Sequence, residues 1–501
     1  MSMLPEDRLV QHVIGLQSRP IPQATRERLA QALLDWFTAG WSAMQLDAAA
    51  RLRHLAVLCH PGGGDSPVFG DARTGAMAAA FANAGIAHVR EIDDAHRSAM
   101  LHPGIIAVSP VLALARRHAL TQRRAADAII AGYEVALRAG EALGTRHAAN
   151  FHATATAGAL GAAAAAAVAL GLPAEQLHHA LGIAATQAAG LWQLVDDNAH
   201  ESKSLHPAMA VRNGMTAAYA AQAGLPGARA FFTGKRGMYA LLAGDGPLAA
   251  LDGDLDAPER INTATIKAWP CCAQLFTPLD AARALLDEHA IRPGDIASVE
   301  VAIFPHALKI AGVHWPSRPA EAAFCLRYVM ARLLLAGGLG IEDMEAPDLA
   351  CPALRDLAQR IAVVPDESFQ QAFPRKRPSR VTLRLRDGRT LSALRELRRG
   401  DPEEPYDWDG MLARMRAYAP AMDDAAAAGI AAWCGRHADA AHDKAPCAPD
   451  TALFGARAGL GTDAGTGTDP TMGLGMDTGT DTDMATDMIA DTDTGTDARG
   501  R

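Results

Sequence analysis

Aromatic residues make up only 5% of this 501-residue chain, and no run of 18 or more apolar residues occurs. The longest candidate, around Ala159–Leu172, is Ala-rich, follows Gly158 and is broken by Gly161 and Gly171. It reads as a buried helix, too short and too interrupted for a membrane span, and no membrane partner is expected. The opening MSMLPEDRLVQHVIG lacks the basic-then-apolar order of a secretory leader, so a cytoplasmic protein is expected. The seven cysteines are odd in number, scattered and without CxxC spacing, which argues against a disulfide framework. Cys271 and Cys272 are adjacent, a poor geometry for a mutual bond, and the CxxH from Cys434 to His437 has no second pair. HExxH, GxGxxG after a strand, a Walker loop and a GxSxG elbow are all missing. HPGGGDSP (His60–Pro67) is Gly-rich but lacks the Lys-Ser/Thr of a phosphate loop, and it reads as a tight turn between helices. The 18 His show no convincing metal spacing. No metal and no cofactor is expected.

Basic charge is also in short supply. The net charge is −9, but residues 461–501 hold nine Asp against two Arg, which leaves the first 460 residues near −2. A body this close to neutral gives no charge argument for nucleic-acid binding.

What is present is helix-forming sequence. Thr25–Met44 has apolar residues at helical spacing, with Thr25 as an N-cap candidate. Arg73–Ala84, Ile106–Arg117, Arg124–Leu143, Thr154–Leu170, Ala174–Ala189 and His206–Ala223 continue the pattern. Near Asn262 the period changes. Ser298–Phe304 and Arg380–Arg386 alternate apolar and polar residues, and Asp387–Gly388 turns the second into a hairpin with Arg389–Leu394. Helices at Pro278–His289, Glu321–Ala336 and Pro352–Ile361 accompany the strands, and Trp408–Ala419 and Ala425–Arg436 return to helix. The expected fold is mainly α. Residues 1–264 form an all-helical domain completed by 401–440, and residues 265–400 form a smaller α+β domain. Residues 441–501, rich in Thr, Gly and Asp, form a disordered low-complexity acidic tail.

Three stretches combine titratable residues with apolar surroundings. Glu91-Ile-Asp-Asp-Ala-His-Arg runs to His102-Pro-Gly, where a His just before a helix can face an anion held by free amides. The plainer reading makes Asp93 or Asp94 a cap and His102 a turn residue. His152 and Thr154 head the small-residue helix, where a buried His can trade a proton near neutrality or simply be a satisfied core residue. Lys203 and His206 precede the next helix, a place suited to holding a carboxylate and equally to a solvated loop lysine. Lys267 and Tyr328 read as surface residues when taken alone.

Taken in order, a wider pattern emerges between about residue 8 and residue 440. Its carriers are FANAGIAHVREIDDAHR, HPG, AIIAGYEVALR, NFHATATAGALGAAAAAA, ESKSLHPAMAVRNGMTAAYAAQAGLPG, IKAWPCC, a Tyr-Val followed by a Leu-rich stretch ending in Gly-Gly, and RGDPEEP. This ordered set resembles the MmgE/PrpD family, which includes 2-methylcitrate dehydratase, cis-aconitate decarboxylase and an iminodisuccinate epimerase. The resemblance implies a large helical domain, a smaller α+β lid with the site in the cleft between them, and a homodimer. It implies a cofactor-independent lyase (dehydratase or decarboxylase) for a small di- or tricarboxylic acid such as 2-methylcitrate or cis-aconitate. The alternatives are epimerisation of a dicarboxylate and a non-catalytic carboxylate-binding homologue. Carried onto this chain, the resemblance makes His102, His152, Lys203 and Tyr328 catalytic, and places Glu91, Asp93, Asp94, Arg97, His206 and Lys267 around the substrate. Two positions depart from the decarboxylase pattern of Asp, one apolar residue, Asp-Asp-Thr: Glu91 stands for the first Asp and Ala95 for the Thr. The stretch from there to His102 also departs from the longer dehydratase pattern with its Trp-Gly-His-Pro run.

Overall fold

The computed structural model describes residues 3–455 apart from 198 and 258. The acidic repeats of Thr462–Asp497 lie outside the described residues. Eight helices open the chain: α1 (Pro5–Leu16), α2 (Gln23–Ala43), α3 (Asp47–Cys59), α4 (Ala76–His88), α5 (Pro103–Ala115), α6 (Gln122–Asn150), α7 (Ala153–Ala169) and α8 (Ala174–Ala185). A further long helix, Leu205–Gln222, follows. No helix among the described residues is long and apolar enough to cross a membrane.

The centre of this helical body is α7, every residue of which is buried. Its small side chains let neighbouring backbones come close. A Cβ at Gly161 would lie 2.6 Å from Ala136 Cβ on α6, and one at Gly132 would lie 2.7 Å from Ala107 Cβ on α5. On the other side, a Cβ at Gly214 of the helix Leu205–Gln222 would meet Ala162 at 2.6 Å. Such approach is possible only where the side chain is a hydrogen atom or a methyl group, which explains an alanine-rich core with so few rings.

Several boundaries differ from the sequence expectation. Helix α2 begins at Gln23, so Thr25 is an interior residue whose hydroxyl donates to Glu259, and the N-cap position falls to Pro22. The end of HPGGGDSP and the residues after it form a two-stranded antiparallel ribbon, β1 (Ser66–Val68) and β2 (Asp71–Thr74), before α4 starts. Packing also continues past His442. Arg26 makes a two-pronged ion pair with Asp443 at 2.8 and 2.9 Å, and Phe454 is fully buried among Trp36, Phe37 and Phe69. The aromatic residues the chain does have are thus used to anchor residues 443–455 onto α2.

A second hydrophobic core, separate from that of the helical body, lies between Cys271 and Leu385. It is built on a four-stranded sheet in the order β4 (Ile361–Pro365), β3 (Ile296–Ile303), β5 (Ser379–Leu385), β6 (Thr390–Arg395). The expected hairpin is β5–β6, paired antiparallel from Ser379↔Arg395 to Arg384↔Thr390. The helix expected over Pro352–Ile361 stops at Gln359, and Ile361 opens strand β4, which pairs parallel with β3 through Pro365. A parallel partner needs a long crossover, and the helices between residues 305 and 359 supply it.

Candidate active site

Two helix starts meet in the helical body. His102 is the N-cap of α5 and His152 is the N-cap of α7. Both are extended at the cap, and they are tied together because the His102 backbone N–H donates to Thr154 Oγ1 at 3.2 Å. The His152 backbone N–H donates to Gly190 O at 2.8 Å, which draws in the loop that carries Trp192. Pro103 at the first position of α5 presets the backbone for the helix.

Behind His102 sits Asp93. Its carboxylate lies 3.0 Å from His102 Nδ1, at an angle outside good hydrogen-bond geometry, and 3.1–3.2 Å from Nδ1 of His88. Burial pushes the Asp93 carboxyl up, but the rings of His102 and His88 outweigh it and hold the group well below the usual carboxylate range. An ionised carboxylate can only accept, so His88 Nδ1 is the donor in that bond. His88 is fully buried at the end of α4, its Nε2 has no partner, and its ring stacks on His152 at 5.7 Å. His206 completes the cluster with Nδ1 3.1 Å from His152 Nδ1.

The rings of His102, His152 and His206 are biased towards the neutral form. Burial, reinforced by the charge of Lys267, lowers His102 to about 4 despite the pull of Asp93. Burial and the charges of His88 and Lys203 lower His206 to about 4, and burial with Lys203 lowers His152 well below its ordinary value. Neutral imidazoles beside fixed cations are placed to accept a proton, and an incoming anion would make that proton easier to keep.

The cations come from two directions. Lys203, in the short 3-10 turn His200–Ser204, makes an ion pair with Glu91 and stands 5.8 Å from the centre of the Trp192 ring. The same Trp192 ring packs on His152 at 4.7 Å. Lys267 donates to the Glu91 carbonyl oxygen. It reaches Glu91 because Ala95 and Thr265 pair as a short antiparallel bridge, with bonds of 2.9 and 2.7 Å. Arg414 clamps the same two segments, donating to Lys267 O at 2.7 Å and to Ile92 O at 2.5 Å. Glu91 has φ 52°, a left-handed backbone rare for a residue with a side chain, and this turns its carbonyl oxygen towards Lys267. Burial raises the Glu91 carboxyl, yet Lys203 and its neighbours bring it down to about 2, so it is ionised at any working pH.

Glu91, Asp93, His102, His152, Lys203, His206 and Lys267 therefore converge. Three other expected residues are placed elsewhere. Asp94 is turned into the protein, accepting from Gly104 N at 2.8 Å and from Tyr133 Oη at 2.6 Å, so that it holds the start of α5. Burial and the neighbouring Asp35 raise it to about 7. Arg97 spends its charge on Glu403, with one contact at 2.9 Å, and on Asp401 at 3.7 Å. Tyr328 is buried in the second core, where its hydroxyl donates to Asp343 O at 2.7 Å and its ring packs against Trp315. His88 and Trp192 are members of the cluster that the sequence reading did not single out.

Among the described residues, His88, His102 and His152 also form the group that could close on a metal ion, with one nitrogen from each within 4.8 Å of the others. A tetrahedral zinc with Zn–N bonds of about 2.0–2.1 Å brings its nitrogens to roughly 3.4 Å, so the rings would have to draw together. Asp93 already occupies Nδ1 of His88 and faces Nδ1 of His102.

The chain is similar to several known proteins. Cis-aconitate decarboxylase of Homo sapiens is 26% identical over 438 residues, covering 81% of this chain and 86% of the human protein. The decarboxylase of Aspergillus terreus is 24% identical, covering 82% and 88%. That of Mus musculus is 27% identical over 290 residues, covering 54% of this chain and 56% of the mouse protein. The MmgE/PrpD N-terminal domain matches residues 7–250 and the MmgE/PrpD C-terminal domain matches residues 269–434. The histidine cluster falls inside the first of these and Lys267 at the join before the second, and the chain belongs to the MmgE/PrpD family.

Proposed function

We propose that this chain is a lyase that removes carbon dioxide or water from a small di- or tricarboxylic acid without a bound cofactor, with cis-aconitate as the first acid to test. The observation that carries this reading is the juxtaposition of buried histidines, two of them on Asp93, with Lys203 and Lys267. The named relatives, cis-aconitate decarboxylases, supply the choice of acid.

The chemistry follows from charge. Lys203 and Lys267 hold carboxylates of the substrate, and the starts of α5 and α7 add amide donors. Decarboxylation breaks a carbon–carbon bond, releases carbon dioxide and leaves the electron pair on carbon, spread into the remaining unsaturated acid. A histidine returns a proton to that carbon, and solvent replaces the proton. Dehydration runs the other way: one histidine takes the proton next to a carboxylate, a protonated histidine gives its proton to the hydroxyl, and that group leaves as water. A histidine loaded with a proton is available because the bound polyanion offsets the burial that keeps these rings neutral. The rings of His102 and His152, 6.3 Å apart, would equally serve a two-base epimerisation, which is the second reading.

The test is incubation with cis-aconitate, 2-methylcitrate and iminodisuccinate, following carbon dioxide, unsaturated product and racemisation. Carbon dioxide from cis-aconitate is expected. His102→Ala and His152→Ala should each reduce turnover about 100- to 10,000-fold with the fold intact. Racemisation alone would replace the lyase reading with the second one. Full turnover in both variants would remove the histidines from the chemistry.

A further inference from the structure

Arg377 is a buried charge tied to these segments that the site described above does not use. It lies just before β5, with 5% of its surface exposed. Its Nε donates to Gln274 Oε1 at 2.9 Å and one Nη donates to Arg97 O at 3.3 Å, while Nη1 is buried without a partner. The guanidinium also sits 5.5 Å from the centre of the Phe373 ring. Among the described residues no carboxylate forms an ion pair with it. The charges around it make matters worse: Arg398 and Arg97 are cations, and the nearby Asp401 is already held by Arg398 at 2.7 Å and Thr265 at 2.5 Å. A buried cation is stable when a counter-charge meets it, and among the described residues no carboxylate pairs with this one.

Its position says which anion is missing. Arg97 belongs to the loop that carries Glu91, Asp93 and His102, and Gln274 follows closely on Lys267. Arg377 is therefore bolted to both segments that build the site.

We propose that Arg377 is an anion-binding residue of this site, whose free Nη1 edge takes one carboxylate of the substrate. A planar guanidinium edge matches a carboxylate better than a point charge does. The proposal rests on the polycarboxylate reading above and adds the residue that would hold a carboxylate away from Lys203.

Calorimetric binding of tricarballylate, an unreactive tricarboxylate, tests it on the full chain and three variants. Arg377→Gln should weaken binding about 10- to 100-fold. Arg377→Lys should show a smaller loss, because it keeps the charge and drops the fork. Lys203→Met should also weaken binding, as the polycarboxylate reading requires. A folded Arg377→Gln with wild-type affinity, beside a weakened Lys203→Met, would overturn the Arg377 assignment and leave the polycarboxylate reading standing. If Arg377→Gln does not fold, undiminished affinity in Arg377→Lys overturns the assignment. A wild-type protein that binds no tricarballylate overturns the polycarboxylate reading and the Arg377 proposal together.

Discussion

Asp93 stands 3.0 Å behind His102 Nδ1, on the opposite edge of the ring from the nitrogen left to meet a ligand. A fixed anion there favours the tautomer with hydrogen on Nδ1 and a free acceptor at Nε2, and it steadies the imidazolium once a proton arrives. Asp93→Asn keeps the shape and removes the charge. Turnover on the preferred acid should fall at least about 100-fold, with substrate affinity changed far less. A loss of affinity with kcat unchanged would mean that Asp93 acts only on binding.

Glu91 occupies Lys203 in the unliganded protein. A substrate carboxylate must share or displace that ion pair. Glu91→Gln frees Lys203 and should tighten tricarballylate about 3- to 10-fold, the scale of one partly screened charge pair. Weaker binding in Glu91→Gln would show instead that Glu91 orients Lys203 for the ligand.

The histidines also make stability depend on pH. Burial is the leading cause in each case: His96 and His437 fall to about 3, His102 and His206 to about 4, and His152 falls well below its ordinary value. The unfolded chain binds protons on these groups near pH 6.5, so the folded chain binds fewer between about pH 4 and pH 6.5. Their contribution is fully present above pH 6.5 and is lost as pH falls. Buried carboxyls work the other way: Asp94 is raised to about 7 and Asp127 and Asp280 to about 6, and their contribution fades as pH rises from about 4 to 7. The lowered histidines outnumber the raised carboxyls, and the thermal midpoint should fall from pH 7.5 to pH 5. A midpoint that is flat or rises towards pH 5 would contradict this.

How much of this was readable in advance depended on distance along the chain. Helices α5 to α8 follow from local spacing, and the hairpin β5–β6 from alternation and Asp387–Gly388, because the interactions that fix them lie within a few residues. Strand β4 was lost for the opposite reason: its partner β3 is some sixty residues earlier, and nothing local distinguishes its apolar run from a helix end. His88 escaped because Ala-Gly-Ile-Ala-His reads as core, and only the fold shows that Asp93 curls back onto it. Trp192 carried one signal, a lone large ring in a polar loop. Arg97 and Tyr328 sit in the resembling segments, yet each has a nearby partner that absorbs it: Glu403 for one, the Asp343 carbonyl oxygen for the other.

The small residues of α7 set one more limit. With Gly161 already against Ala136, this helix has no slack, and any added bulk must be taken up by sliding the rod along its axis. The end that would slide carries His152. Side-chain volume along α7 therefore acts as a spacer that fixes where the histidine stands. Changes of substrate preference in this scaffold have room at the rim, at Glu91 or Trp192, and almost none along the rod itself.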